Sequence, residues 1–127
     1  MEQAVWSEED IYLIAERAHA LYQQGCHREA AVLFEGLTTV DPRNAYCHDA
    51  LAAVYMALNQ PQQAVMAASN ALRIAPRNAD SLARRCEAYL QLRMFTEAGQ
   101  DLEALRRGGG RHYQRLHLMA TYVHAKR

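Results

Sequence analysis

Lysine is what this sequence most conspicuously lacks. Of fourteen cationic side chains thirteen are arginine, and only Lys126 is lysine. Codon preference explains that bias better than a recognition role does. Net charge is missing too, because fourteen acids offset the fourteen bases. The chain therefore has no basic field of the kind that holds a phosphate backbone, which argues against nucleic acid as a partner. No run approaches the eighteen consecutive apolar residues of a membrane-crossing helix, so no membrane insertion is expected. Met1 to Asp10 carries acids where a secretory leader needs cations and then an apolar stretch. Only three cysteines occur, Cys26, Cys47 and Cys86, an odd number without disulfide-framework spacing. They are expected to be reduced thiols in a cytoplasmic protein.

Catalytic and metal-binding constellations are also scarce. The pairs Cys26-His27 and Cys47-His48 tempt as ligands, but neighbours on a helix point about 100° apart. No C-x-x-C or H-x-x-x-H accompanies them. His48 is expected in the core, and His117 and His124 on an exposed helical face. Gly108-Gly109-Gly110 follows no strand and lacks the Gly-Lys-Ser/Thr ending of a phosphate loop, so it reads as a break or hinge. No Ser/His/Asp or Cys/His set falls at a common site. Neither an enzyme nor a cofactor is expected.

What the sequence does contain is a repeat. Pro-Arg-Asn-Ala occurs at Pro42–Ala45 and again at Pro76–Ala79, a shift of 34 residues. The same shift carries Ala30 to Ala64 and Ala98, Ala18 to Ala52 and Cys86, Tyr55 to Tyr89, and Leu58 to Leu92. A 34-residue period with helical patterning is the spacing of a helix–turn–helix repeat. The first-helix pattern of large, small and large residues reads Ile14, Ala18, Leu21, then His48, Ala52, Tyr55, then Leu82, Cys86, Tyr89. The second helix carries Ala30 with Phe34, Ala64 with Ala68, and Ala98 with Leu102; Pro42 and Pro76 close the first two units.

On these residues the chain, from about Ile11 to His112, resembles a tetratricopeptide repeat (TPR) protein. The resemblance implies an all-α, right-handed solenoid of three helix hairpins, 11–44, 45–78 and 79–112, forming one domain over 1–127 with a C-terminal capping helix at 112–126. Three departures stand out. Arg17 and Arg85 occupy places where the family usually has Leu, so those places are either less buried or hold paired charges. Gly110 replaces the third closing Pro. Arg93 replaces the Gly that ends the first helix, a place that often requires positive φ.

Helix boundaries follow from capping chemistry. Ser7 is an N-cap followed by Glu8, Glu9 and Asp10, which suit the positive end of a helix dipole. Trp6 before the cap and Ile11 after it have the spacing of a hydrophobic staple. Gly25 and Asn59 can adopt the left-handed conformation at a helix end, and Pro61 suits a first turn. Helices are expected at 8–24, 27–39, 45–58, 61–74, 79–92, 95–106 and 112–126. The last presents Tyr113, Leu116, Ala120 and Val123 as an apolar stripe that closes the final face of the stack.

Stacked hairpins curve, and the first helix of each lines the concave side. The stripe opposite the hairpin contact is Tyr12, Ala15, His19 and Tyr22 in the first unit. It is Tyr46, Asp49, Ala53 and Met56 in the second, and Asp80, Ala83, Glu87 and Leu90 in the third. The tyrosines and Met56 would make an apolar, aromatic half, with the alanines leaving room. Asp49, Asp80 and Glu87 would make the other half acidic. Such a groove fits an extended peptide with apolar anchors and a basic residue near one end. Alternatively, Tyr12, Tyr22 and Tyr46 contact one another inside a narrow superhelix.

The Hsp70/Hsp90 co-chaperones of this family clamp a C-terminal carboxylate with Lys and Asn. Here the equivalent places hold Ala15, His19, Ala50 and Asp80, with only Arg84 cationic, so that clamp is not expected. The outline, with Leu21–Gly25 and Ala30–Glu35, is similar to the small bacterial type III secretion chaperones of the TPR kind. That resemblance implies a cytoplasmic protein that keeps an apolar segment of a secretion substrate or export component soluble. The alternative is a self-associating scaffold without a client. Residues 1–10 carry four acids and residues 105–127 six bases, a polarity that favours head-to-tail contact, and a homo- or hetero-oligomer fits either reading.

Overall fold

The computed structural model describes residues 6–108 and 110–125. Within them all regular structure is helical: α1 (Glu8–Gln23), α2 (His27–Val40), α3 (Ala45–Ala57), α4 (Pro61–Ile74), α5 (Ala79–Gln91), α6 (Phe95–Arg107) and α7 (His112–Ala125). Each boundary lies within one residue of its expected place. Gly109 and the expected last helical residue, Lys126, lie outside the described residues.

Local chemistry fixes the helix ends. Ser7 Oγ accepts from the Asp10 amide while the Asp10 carboxylate accepts from the Ser7 amide, a reciprocal cap at the start of α1. The repeated Asn44 and Asn78 cap α3 and α5 with a single bond each, accepting from the amides of Cys47 and Ser81. At the opposite ends the chain turns through Gly25 (φ 86°), Asn59 (φ 61°) and Arg93 (φ 59°), three residues 34 apart. Each is followed by an amide that reaches back five residues: Cys26 to Leu21 O, Gln60 to Tyr55 O and Met94 to Tyr89 O. This is the left-handed helix stop, used identically in all three units. Pro61 sits in the first turn of α4, where its missing N–H costs nothing.

Hairpins form from α1 with α2, α3 with α4, and α5 with α6, and each odd helix also packs on the even helix before it. Phe34, Leu37, Leu51 and Val54 anchor one apolar cluster in the first two units. Leu82, Leu90, Leu105 and Leu116 anchor another in the third unit and α7. Polar groups cross the boundary between the second and third units. Asp49 on α3 accepts from Ser81 and Arg84 on α5, and Arg85 on α5 donates to Ser69 on α4 and to Asp101 on α6. Arg17 and Arg85 thus resolve differently. Arg85 is half-buried in an ion pair, whereas Arg17 is exposed. His48 is buried, and its Nε2 donates to Pro42 O at 2.8 Å, tying α3 to the turn before it.

Helix α7 lies on α5 and α6. Leu116 is fully buried there, with Tyr113, Met119 and Ala120 packed around it. In the 34-residue register Leu116 follows Leu82 and Ala120 follows Cys86, so α7 is the first helix of a fourth unit whose second helix is absent among the described residues. Its hairpin-facing stripe is spent on the preceding unit instead, which is how it caps the stack. No helix among the described residues is long and apolar enough to cross a membrane.

Candidate functional site

The first helices of the three units stand side by side, but unevenly. α1 touches α3 much less than α3 touches α5. The gap is a cavity of about 970 Å³ bounded by α1, by Asp41 and Asn44 in the turn before α3, and by Tyr46 on α3. Tyr12, Ala15 and His19 form its α1 wall, and it curls past Glu16 onto Leu13, Arg17 and Ala20 on the outer side of that helix. Of the twelve groove residues read from the sequence, the cavity gathers Tyr12, Ala15, His19 and Tyr46.

Two tyrosines offer their rings to solvent there, Tyr12 at 60% and Tyr46 at 51% exposure. The Tyr12 hydroxyl donates to Glu16 at 2.9 Å, and that bond to a carboxylate holds its pKa above the ordinary phenol value. Tyr46 leans edge-on toward Phe34, with ring centroids 6.4 Å apart, and burial of its inner edge raises its pKa. Tyr22 is placed differently. It is half-buried against the core, 5.4 Å from the His27 ring and 6.3 Å from His19. Ala53 and Ala83 are buried, and Met56 is half-buried.

Toward the third unit the acidic side chains are already partnered. Asp49 takes Arg84 Nε at 3.1 Å as well as the Ser81 hydroxyl at 2.8 Å. Asp80 meets His112 Nε2 at 2.8 Å and Arg111 at 3.9 Å, and the hydrogen bond to His112 holds its carboxyl below the usual range. Glu87 meets Arg115 at 3.4 Å. Leu90 is buried under α7, at the edge of a smaller apolar cavity of about 480 Å³ between α6 and α7. The acidic half expected at this end is therefore internally neutralised, with partners for Asp80 and Glu87 supplied by α7 and the turn before it. Charge without an ionic partner among the described residues sits at the other end, where Glu8, Glu16 and Asp41 border the large cavity. Sequence reasoning missed these three. The i,i+4 spacing of Tyr12 and Glu16 was the available signal.

No group of three or more His, Cys, Asp or Glu is gathered for a metal among the described residues. Cys47 and Cys86 are buried, which pushes their thiols up to about 11 and about 12. That is the opposite of what a nucleophilic cysteine needs.

The array, its shared helix stops and its lateral groove define a TPR fold, and solved structures agree. The chain is similar to the Yersinia enterocolitica type III secretion chaperone SycD in complex with a peptide of the translocator YopD. Their TM-score is 0.83 at 19% identity, over 94% of this chain and 96% of that one. It is similar to PcrH in complex with the chaperone-binding region of PopD, with TM-score 0.84, 21% identity, and 94% and 95% of the two chains covered. The first TPR domain of Spaghetti (RPAP3), bound to an HSP90 peptide, also superposes, with TM-score 0.84, 18% identity, and 95% and 98% covered. At such identities the likeness is one of fold. No family model matches the chain, and no curated protein matches it.

Proposed function

We propose that this protein is a cytoplasmic peptide-binding chaperone that holds an extended apolar segment of a type III secretion substrate or export component. The observation that carries this reading is the open cavity beside α1, about 970 Å³, with the exposed rings of Tyr12 and Tyr46 at its walls. A pocket of that size takes several side chains of an extended segment, and solvent-exposed aromatics are common anchors of binding surfaces. The SycD structure, which shares the fold, holds a peptide of the translocator YopD, and that of PcrH holds the chaperone-binding region of PopD. Glu8, Glu16 and Asp41 favour a client whose basic residue lies beside its apolar anchors at the α1 end. An acidic C-terminal tail is the poorer ligand, because Arg84 is engaged by Asp49.

Calorimetric titration tests the proposal with twelve-residue peptides carrying two aromatic or aliphatic anchors, with and without a flanking arginine, and an acidic-tail peptide as control. The anchored basic peptide should bind most tightly, and Tyr12→Ala with Tyr46→Ala should weaken it at least tenfold while the protein stays folded, with only a small fall in melting temperature from the lost Tyr46–Phe34 contact. Unchanged affinity in that double variant would overturn the assignment. Tyr22→Ala is a less clean probe, since its ring packs against the core and its loss would cost about 1–2 kcal/mol of stability.

A further inference from the structure

We infer that Arg17 recognises an acidic residue of the client, so that the segment held beside α1 carries a carboxylate beyond its apolar anchors, away from its basic residue. This role rests on the client-binding reading of the same cavity and adds the side chain that sets which way round the segment crosses α1. The cavity has two sides. Tyr12, Ala15 and His19 wall the inner one, and past Glu16 the space opens onto Leu13, Arg17 and Ala20. Arg17 is the one arginine or lysine among the described residues that line it.

The 34-residue register shows that the fold gives Arg17 nothing to bind. Its place corresponds to Leu51 and Arg85. Leu51 is buried in the apolar core. Arg85 is spent inside the molecule, with Nε and Nη2 on the two carboxylate oxygens of Asp101 and Nη1 on Ser69. In the first unit the place of Asp101 is held by Leu33, so the acid that would satisfy Arg17 in the same way is missing. Nor does α1 supply one, because the residues three and four away are Leu13, Ile14, Ala20 and Leu21. Glu16 adjoins it in sequence, but neighbouring side chains on a helix point about 100° apart. Arg17 is exposed, and its guanidinium makes no hydrogen bond or ion pair among the described residues.

A guanidinium presents its donors as a planar fork that matches a carboxylate. Arg85 shows that fork taking a carboxylate from the equivalent place. Arg17 offers it at a cavity wall, beside the half-exposed Leu13 and the partly buried Ala20. An apolar anchor passing over Leu13 and Ala20 brings the next residues of the segment to Arg17. On the inner side Glu16 and Asp41 attract the basic residue and repel an acid. The client's charges therefore run in the order basic residue, apolar anchors, acidic residue, with the acid on the outer side of α1. That carboxylate lies within the segment, and is distinct from the acidic C-terminal tail that Arg84, engaged by Asp49, is not free to hold.

Calorimetric titration of the full chain provides the test. The probes are twelve-residue peptides with two apolar anchors, arginine at one end and glutamate, glutamine or lysine at the other. Each is made in both chain directions, and the tighter direction is used. The glutamate peptide should bind about fivefold more tightly than the glutamine peptide in about 50 mM salt, and the difference should vanish in about 500 mM. Arg17→Gln should remove the preference, and Arg17→Glu should reverse it in favour of lysine. Both variants should keep the parent's circular dichroism spectrum, since the side chain is exposed. A glutamate preference that survives in Arg17→Gln overturns this role, and so does a parent chain that binds all three peptides alike. In the latter case, affinity that still falls with Tyr12→Ala and Tyr46→Ala leaves the groove standing without Arg17. A parent chain that binds none of the peptides overturns the groove and the role of Arg17 together.

Discussion

Arg85 and Asp101 form a two-pronged ion pair within the third unit, with Arg85 Nε donating to Asp101 Oδ2 at 2.9 Å and Nη2 to Oδ1 at 2.6 Å. A third donor, Nη1, reaches Ser69 Oγ of the preceding unit at 3.1 Å. One repeat earlier the same two places hold Leu51 and Ala67, both buried. The third unit has therefore exchanged an apolar contact for a charged one at equivalent positions. The bond to Asp101 holds Arg85 above its ordinary pKa.

Removing one partner should hurt more than removing both. Asp101→Ala strands a half-buried guanidinium and should cost about 2–4 kcal/mol, below the full cost of breaking a buried pair because Arg85 retains some solvent. Arg85→Leu combined with Asp101→Ala restores the second unit's pattern and should lie within about 1 kcal/mol of the parent. Urea denaturation of the three variants measures the difference. A double variant as unstable as Asp101→Ala would show that the pair is not acting as a unit.

The left-handed stop at Arg93 carries strain that glycine would not. A side chain at φ 59° costs about 1 kcal/mol, partly offset by the guanidinium lying 5.6 Å from the centre of the Phe95 ring. Arg93→Gly should raise stability by about 0.5 kcal/mol, and Gly25→Ala should lower it by at least as much. Thermal melts of both variants check the pair of signs.

Thiol chemistry should discriminate sharply among the cysteines. Burial raises Cys47 to about 11 and Cys86 to about 12, while Cys26 is only half-buried. Iodoacetamide at pH 7.5 should modify Cys26 in the native protein and leave the other two until it is unfolded. Mass spectrometry of digests reads the sites directly. Native-state labelling of Cys47 would mean that the interface between α2 and α3 opens readily.

Acid should loosen α7 before it unfolds the rest. Asp80 is held below the ordinary carboxylate value, chiefly by its hydrogen bond to His112. Its contribution is complete above the unfolded value of about 3.9 and is lost as pH falls through the depressed folded value. Asp80→Asn should therefore destabilise the protein at pH 6, with a smaller deficit at pH 2. Chemical-shift titration of the α7 amides follows the release, and an equal deficit at both pH values would assign the effect to packing rather than charge.

Much of the architecture was legible because repetition writes it several times. The 34-residue shift placed the helices, and the equivalence of Gly25, Asn59 and Arg93 located a left-handed turn at an arginine. Asn44 and Asn78 sat inside the repeated Pro-Arg-Asn-Ala and could have been read as caps. The groove was legible only in part. Periodicity says which face of a helix a residue occupies, not what the next helix brings to meet it. Asp49, Asp80 and Glu87 find partners 35, 32 and 28 residues ahead, in Arg84, His112 and Arg115. Looking about one repeat length ahead of each acid for a cation would have shown that these were spoken for. Tyr22 and Leu90 are packed rather than open for a related reason, since the start of α2 meets Tyr22 and α7 lies over Leu90.

The alanines of α4 carry a consequence for how the chain finds this structure. Ala64, Ala67, Ala68 and Ala71 are all buried, and α3 with α4 is the most extensively touching helix pair. Alanine surrenders no rotamer freedom on burial, and the hairpin is short-range in sequence, so its loop closure costs little. The middle hairpin is thus expected to nucleate folding, with the outer hairpins condensing onto it. A substitution such as Ala68→Gly should slow refolding, whereas one in α1 or α7 should mainly quicken unfolding.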